Sequence, residues 1–376
     1  MIKSPPLDVA NMIALLRKGE GCNIRLFDLR VHNIAQDSFW AKKGIDLNVF
    51  NDFQRCFNHV LEKESSEIGR LAEKILNETE LNNIKFLVFF ITVIEQFSLQ
   101  YFVSALCIAA RLKKTNHPIK IIFSGNCPKR YIRRIMRSFH FLDAFLEDGN
   151  EYALLEYVKK AGKGKTLRGV IYREADKLIS PVANLPLQLN RYPVPDFSLF
   201  DLEKYKSNGR LALPYELSRG CVNNCFFCYY IYKGGKIYKK SYAKAVKELI
   251  YLKNKYHADR FHFIDAEINF DKNYLRKFCQ ELLAKKAEIL WSALAIPADL
   301  DPDLLGLMRK SGCVQLRFGV ESGGPGLLRK INKNTNAVEM SRVLKDAHQI
   351  GIYTYVTLIG GLPPEEVEDI LATKAF

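Results

Sequence analysis

The sequence predicts an α/β chain in two parts, a doubly wound sheet followed by a second series of parallel strands and helices. Three observations carry this. Short runs of β-branched and aromatic residues alternate with stretches of helical apolar spacing along nearly the whole chain. Prolines recur at Pro181, Pro186, Pro193 and Pro195, between two such series, and read as an extended linker. The 376 residues allow two domains, and 48% hydrophobic with 26% charged residues is an ordinary globular balance.

The elements follow in order. Asp8 to Lys18 carries Val9, Met12, Ile13, Leu15 and Leu16 at helical spacing, and Gly19 to Gly21 ends it. Asn23 to Leu29 alternates as a strand should. Two helices are predicted over Phe50 to Leu76. Ile84 to Val93 is a nearly continuous apolar run, the pattern of a strand buried on both faces. A helix over Ser98 to Leu112 leads to a strand at Ile119 to Phe123, closed by Ser124-Gly125-Asn126. Tyr131 to Phe139 reads as helix, Leu142 to Leu146 as strand, Glu151 to Lys160 as helix and Leu167 to Arg173 as a short strand or hairpin. The first domain is therefore placed at residues 1–180 and the linker at 181–206. The second domain, 207–376, has predicted strands at 211–218, 260–266, 288–294, 313–320 and 353–359. Helices fall near 241–255, 271–286, 301–311, 338–349 and 365–373, giving five βα units.

Charge and cysteine usage narrow the function classes. The net charge is +15 and the pI about 9.3, but the basic residues are scattered, so a solvated surface is expected and nucleic-acid binding is not. Nine cysteines, an odd number at dispersed spacings, argue against a secreted disulfide framework. Met1 to Pro6 has no apolar signal region, and the apolar run Phe86 to Ile94 is too short to span a bilayer. No transmembrane segment and a cytoplasmic location are the expectations.

One stretch concentrates chemistry: Arg219-Gly220-Cys221-Val222-Asn223-Asn224-Cys225-Phe226-Phe227-Cys228. Cys221, Cys225 and Cys228 stand at C-x3-C-x2-C between an apolar segment and a helix. Three thiolates on one loop suit three corners of an iron–sulfur cluster, with one iron left open; a zinc site with a distant fourth ligand is the alternative. Two carboxylates, Asp265 and Glu267, end the second strand of this series. Glu321 and Ser322 end the fourth, in Arg317-Phe318-Gly319-Val320-Glu321-Ser322-Gly323. Carboxyl ends of parallel strands are where such folds bind ligands, although a carboxylate or serine there also caps a helix. Gly360 and Gly361, in Ile359-Gly360-Gly361-Leu362-Pro363, let backbone approach a ligand or simply form a turn. His262 alternates with apolar positions and reads as structural.

These motifs resemble the radical S-adenosylmethionine (SAM) superfamily. The three-cysteine loop, G-V-E-S at Gly319–Ser322 and the I-x-G-L-P-like Ile359–Pro363 carry the likeness, with Trp291 to Pro297 like the third strand. The resemblance implies a partial (β/α) barrel of six units, of which the chain offers five, so the barrel is expected to lack its sixth strand. It implies a [4Fe-4S] cluster on Cys221, Cys225 and Cys228 and SAM as cofactor. Phe227 is expected near the adenine, with Asp265, Glu267, Glu321, Ser322, Gly360 and Gly361 around the SAM. An electron donor such as flavodoxin or ferredoxin is the implied partner, and the substrate, peptide or small molecule, is left open.

The first part is similar to the cobalamin-binding, Rossmann-like domain that precedes the barrel in many of these enzymes. Ser4-Pro5-Pro6-Leu7 with Phe27-Asp28-Leu29, then Ile122-Phe123-Ser124-Gly125, then Leu142 to Glu151 carry that likeness. The family's D-x-H-x-x-G motif is absent, and His32 reads as a surface residue. The implied activity is reductive SAM cleavage and hydrogen abstraction from an unactivated carbon, with methyl transfer if cobalamin binds. A tRNA methylthiotransferase would need three further cluster cysteines, whose motif Cys22, Cys56, Cys107 and Cys127 lack. A binding or scaffold homologue without catalysis is the non-enzyme reading. No residue is assigned as catalytic.

Overall fold

The computed structural model describes residues 4–28, 56, 59–60, 66–79, 81, 83–90, 98–115, 118–125, 127, 129–146, 151–160, 167–174, 177–180, 187–228, 230, 234–333 and 335–376. The chain divides into two compact units. One is Asp8–Leu187 with Pro195–Phe200, the other Met1–Leu7 with Gln188–Val194 and Asp201–Phe376. The proline-bearing stretch is thus shared out between the units.

The first unit has a sheet in the order β1 (Phe86–Phe90), β2 (Lys120–Ser124), β3 (Ala144–Leu146), β4 (Val170–Glu174), β5 (Lys177–Ile179). β1 to β3 are parallel, and β4 and β5 continue antiparallel, the hairpin alternative of the sequence reading. Side chains of successive strand residues point to opposite faces, and both faces are covered. Ile121, Phe123, Phe145 and Ile171 share a core with α2 (Ser66–Glu78), α3 (Ser98–Lys114) and α4 (Lys129–Ser138). Ile122, Ala144, Leu146, Val170 and Tyr172 share another with Met12 of α1 (Leu7–Glu20) and Ala153, Leu154 and Tyr157 of α5 (Glu151–Lys159). This two-sided burial is the doubly wound arrangement expected. The strand expected at Asn23–Leu29 is not formed: residues 23–28 alternate between exposed and half-buried but pair with no described strand, and Leu29 lies outside the described residues. His32, Asn126, residues 147–150 and most of 50–65 also lie outside them.

The second unit is built on five parallel strands. They are β6 (Ala212–Tyr215), β9 (Arg260–Phe263), β10 (Leu290–Ala295), β11 (Cys313–Glu321) and β12 (Tyr353–Leu358), neighbours in chain order. Between them run α6 (Tyr242–Tyr256), α7 (Lys272–Ala284), α8 (Pro302–Lys310), a short α9 (Pro325–Lys330) and α10 (Ala337–Gln349), with α11 (Val367–Ala375) after β12. These are the five βα units expected. Four of these helices are capped at their starts by side chains satisfying free backbone donors. Ser241 accepts from Lys244 N, Asp271 from Tyr274 N, Asp301 from Leu304 N and Asn336 from Glu339 N. One sheet face packs under the helices, where Phe263, Phe278 and Trp291 meet edge to face at 5.6–6.4 Å. Register places Pro214, His262, Ser292, Leu294, Gln315, Arg317, Gly319, Tyr353, Tyr355 and Thr357 on the other face.

Candidate active site

The cysteine loop is an excursion closed at its base. After β6, β7 (Ser218–Arg219) pairs antiparallel with β8 (Tyr238–Lys239), and the chain between them carries Cys221, Cys225 and Cys228. Gly220 has φ +133°, and a Cβ there would meet Lys236 O at 2.7 Å, so glycine is required for the two limbs to approach. Gly234 N donates to Asn223 O and Gly235 N to Cys221 O, at 2.8 and 3.3 Å, and draw the limbs together.

Buried ionic groups hold the base. Glu216 and Arg219 form a bidentate pair, Nε to Oε2 at 2.9 Å and a terminal nitrogen to Oε1 at 2.5 Å. Glu248 accepts from Tyr215 OH at 2.5 Å and Lys240 Nζ at 3.1 Å, while Lys240 lies 4.3 Å above the Tyr215 ring.

The two carboxylates after β9 face this loop. Asp265, 1% exposed, accepts from Leu217 N, from Ser218 N at 2.6 Å and from Ser218 Oγ at 2.7 Å. Burial lifts its pKa to about 7 despite those bonds. Glu267 accepts from Val222 N at 3.4 Å and Asn223 Nδ2 at 3.2 Å, and burial raises its pKa too. Both carboxylates therefore spend their acceptors on the backbone and side chains around the cysteines. Their visible work is to position the loop.

The fourth strand supplies a second wall. Glu321 is 7% exposed with φ +65°, and Ser322 N donates to Val320 O, a γ-turn at a register shift in the β11–β12 pairing. Such backbone is costly and concentrates at functional sites. Lys333 Nζ pairs with Glu321 Oε1 at 3.2 Å, and Thr357 Oγ1 donates to Oε2 at 3.4 Å. Ser322 is fully buried: its Oγ accepts from Gly324 N and meets Thr373 Oγ1, each at 2.9 Å, so it closes a turn and ties α11. Gly360 and Gly361 have open space around them, and Ile359 N donates to Glu321 O at 2.9 Å, so they lie beside the Glu321 turn.

The loop after α9 links the two walls. Phe226 N donates to Ile331 O at 3.2 Å, and Cys225 Sγ to Asn332 O at 3.7 Å. Asn332 sits at φ +56°, and Lys333 follows it. Sequence reasoning missed Lys333, Asn332 and Thr357, since no motif marks a residue whose role is a contact from a separate loop. Phe227 is half-buried and Phe226 more exposed.

The donor set fits an iron–sulfur cluster. The three cysteines are thiols rather than disulfides, Cys225 buried and the others half-buried. Asn223 Nδ2 donates to Cys221 Sγ at 3.8 Å and Tyr230 N to Cys228 Sγ at 3.4 Å, bonds of the kind that stabilise cluster sulfur. Burial beside Glu267 pushes the Cys221 thiol up to about 11, and burial raises Cys225 while Lys333 opposes it. Ligation to iron is the ordinary way such a thiol gives up its proton. Among the described residues no three His, Cys, Asp or Glu side chains converge as the ligands of one metal ion. A cubane takes each cysteine on a different iron, so its thiolates stand further apart than that.

Residues 215–376 match the Radical SAM superfamily. Relatives and solved structures extend the likeness into the first unit. An uncharacterized methyltransferase of Pyrococcus horikoshii is 26% identical over 72% of this chain and 60% of its own length. The cytidylyl-2-hydroxyethylphosphonate methyltransferase of Streptomyces wedmorensis is 29% identical over 52% and 40%. The cobalamin-dependent SAM radical enzyme OxsB, solved with aqua-cobalamin and SAM, superposes with TM-score 0.71 at 16% identity, covering 99% of this chain and 49% of that one. The radical SAM methyltransferase TsrM of Kitasatospora setae, with tryptophan and a SAM analogue, gives 0.64 at 15% identity, covering 85% and 67%. The chain spans 40–60% of the length of the first curated relatives it matches.

Proposed function

We propose that the chain is the cluster- and SAM-binding part of a radical SAM methyltransferase. The observation that carries this is the convergence of the three-cysteine loop on the Glu321–Lys333 pair through the 331–333 loop. Cys221, Cys225 and Cys228 would hold a [4Fe-4S] cluster, with SAM on the open iron. When bound, that cluster supplies the electron for reductive SAM cleavage to methionine and a 5′-deoxyadenosyl radical. The chain's own work is positioning and exclusion of water. Asp265 and Glu267 fix the loop. Lys333 and Glu321 present a charge pair suited to the carboxylate and ammonium of an amino acid. Gly360 and Gly361 leave backbone accessible for a planar base, with Phe227 at the opposite wall.

Methyl transfer is put first because two relatives named methyltransferases match 72% and 52% of the chain. Solved structures of the same fold that carry cobalamin cover 99% of the chain. Cobalamin is assigned to the first unit on that likeness alone: the D-x-H-x-x-G pattern is absent and no step is derived through it. An external one-electron donor is required by the same reading. Among the described residues no helix is long and apolar enough to cross a membrane.

Anaerobic reconstitution with iron and sulfide, followed by an assay for 5′-deoxyadenosine, tests the reading. The wild-type chain is expected to form the product and Cys225→Ala to form none. Equal product from both would refute it. Cobalt retained after incubation with cobalamin separates methyl transfer from simple hydrogen abstraction.

A further inference from the structure

The non-helical face of the second sheet carries a polar group that the proposed chemistry leaves unused. Arg317 on β11 pairs in register with Tyr355 on β12, and its guanidinium carbon lies 5.2 Å from the Tyr355 ring centroid. Its Nε is buried without a hydrogen-bond partner, and among the described residues no carboxylate lies within ion-pair distance of it. The carboxylate next along that face of β11, Glu321, is engaged by Lys333. On the same face, Ser292 Oγ of the neighbouring β10 and His262 Nδ1 of β9, one strand further, lie 2.9 Å apart. Burial, and then the charge of Arg317, lower the His262 pKa, so the imidazole is neutral and Arg317 carries the charge at this end of the face.

A guanidinium stays ionised under all ordinary conditions and is costly to bury without a counter-charge. The cation–π contact with Tyr355, itself 49% exposed, holds the guanidinium beside that ring, and no hydrogen bond among the described residues engages its two terminal nitrogens, which can meet two acceptor oxygens. We propose that Arg317, flanked by Tyr355 and the His262–Ser292 pair, is a subsite for an anionic group of the substrate: a carboxylate, or phosphoryl or phosphonyl oxygens. It lies four residues before Glu321, roughly 13 Å along the strand. That leaves room for a substrate between the anion subsite and the radical source. The inference rests on the reading of Glu321, Lys333 and the cysteine loop as the SAM site.

The test is calorimetric titration of the reconstituted, SAM-saturated chain with inorganic phosphate and, separately, with acetate. SAM saturation keeps the cofactor's own carboxylate out of the competition, and SAM binding is measured on the same sample. Its absence would count against the proposed function and leave the anion result intact. The wild type is expected to bind at least one of the two anions at millimolar concentration, and the tighter one identifies the group. Arg317→Gln is expected to weaken that binding by about tenfold or more. Tyr355→Leu, which keeps the charge and loses the stack, is expected to weaken it less. Lys247→Gln, at an exposed lysine of α6, controls for general attraction to a basic surface and is expected to bind as wild type. If Arg317→Gln does not fold, Arg317→Lys and Tyr355→Leu carry the comparison. Failure of the wild type to bind either anion, or equal binding by the Arg317 variants, overturns the proposal.

Discussion

Lys333 Nζ stands 3.2 Å from Glu321 Oε1, and a Cβ on Gly319 would reach 2.6 Å from that oxygen and 3.0 Å from that nitrogen. The glycine of the G-V-E-S stretch is thus the floor on which the ion pair rests. Gly319→Ala is expected to displace the pair with little effect on stability, because the atoms it meets are the ends of flexible side chains. SAM affinity, measured by equilibrium dialysis on the reconstituted chain, should fall by about tenfold. Unchanged affinity would show that the pair does not touch the cofactor.

Gly220→Ala probes the other wall. Its φ of +133° and the 2.7 Å approach to Lys236 O leave no room for a methyl group, and backbone is the obstacle. The variant is expected to part β7 from β8 and lose iron on reconstitution, measured as iron per chain. Full iron loading would mean that the two limbs need not be closed for the cysteines to ligate.

The Glu216–Arg219 pair lies under that loop with both side chains at most 6% exposed. Arg219→Met removes the ion-pair partner of a buried carboxylate and should cost about 3–5 kcal/mol in urea unfolding. Removing both charges, as in Glu216→Met with Arg219→Leu, should restore most of it. A single variant that costs nothing would show that water reaches the pair.

Asp265 gives stability a pH dependence of known sign. Its pKa rises from 3.8 to about 7 on folding because burial disfavours the charged form. Between those values the folded state holds a proton that the unfolded chain has lost, so stability falls as pH rises through that window. Glu267 contributes in the same direction. Asp265→Asn is expected to flatten the fall in Tm between pH 3.8 and about 7, as followed by thermal melts of the apoprotein. The same slope in variant and wild type would place the proton elsewhere.

The site was legible in proportion to how local its signals are. C-x3-C-x2-C can be read because cluster ligation fixes the spacing of thiolates within one loop. Five βα units can be read because burial on a parallel sheet fixes the spacing of apolar residues. Asp265 and Glu267 could be placed at a strand end, but not aimed. Their acceptors go to Leu217, Ser218, Val222 and Asn223, more than 40 residues back along the chain. Lys333 was invisible because its partner lies across a turn and its loop follows a six-residue helix, α9, that no periodicity announces. The strand expected at residues 23–28 failed for a related reason. Alternation prescribes which side chains turn inward, but a strand also needs a neighbour to accept its hydrogen bonds.

Low-temperature EPR of the reconstituted, dithionite-reduced chain, recorded with and without SAM, tests the central claim most directly. The account predicts about four irons per chain, a reduced cluster signal that changes when SAM is added, and loss of that signal in Cys221→Ala, Cys225→Ala and Cys228→Ala. A chain that takes up a single zinc instead, or a cluster signal indifferent to SAM, would contradict it.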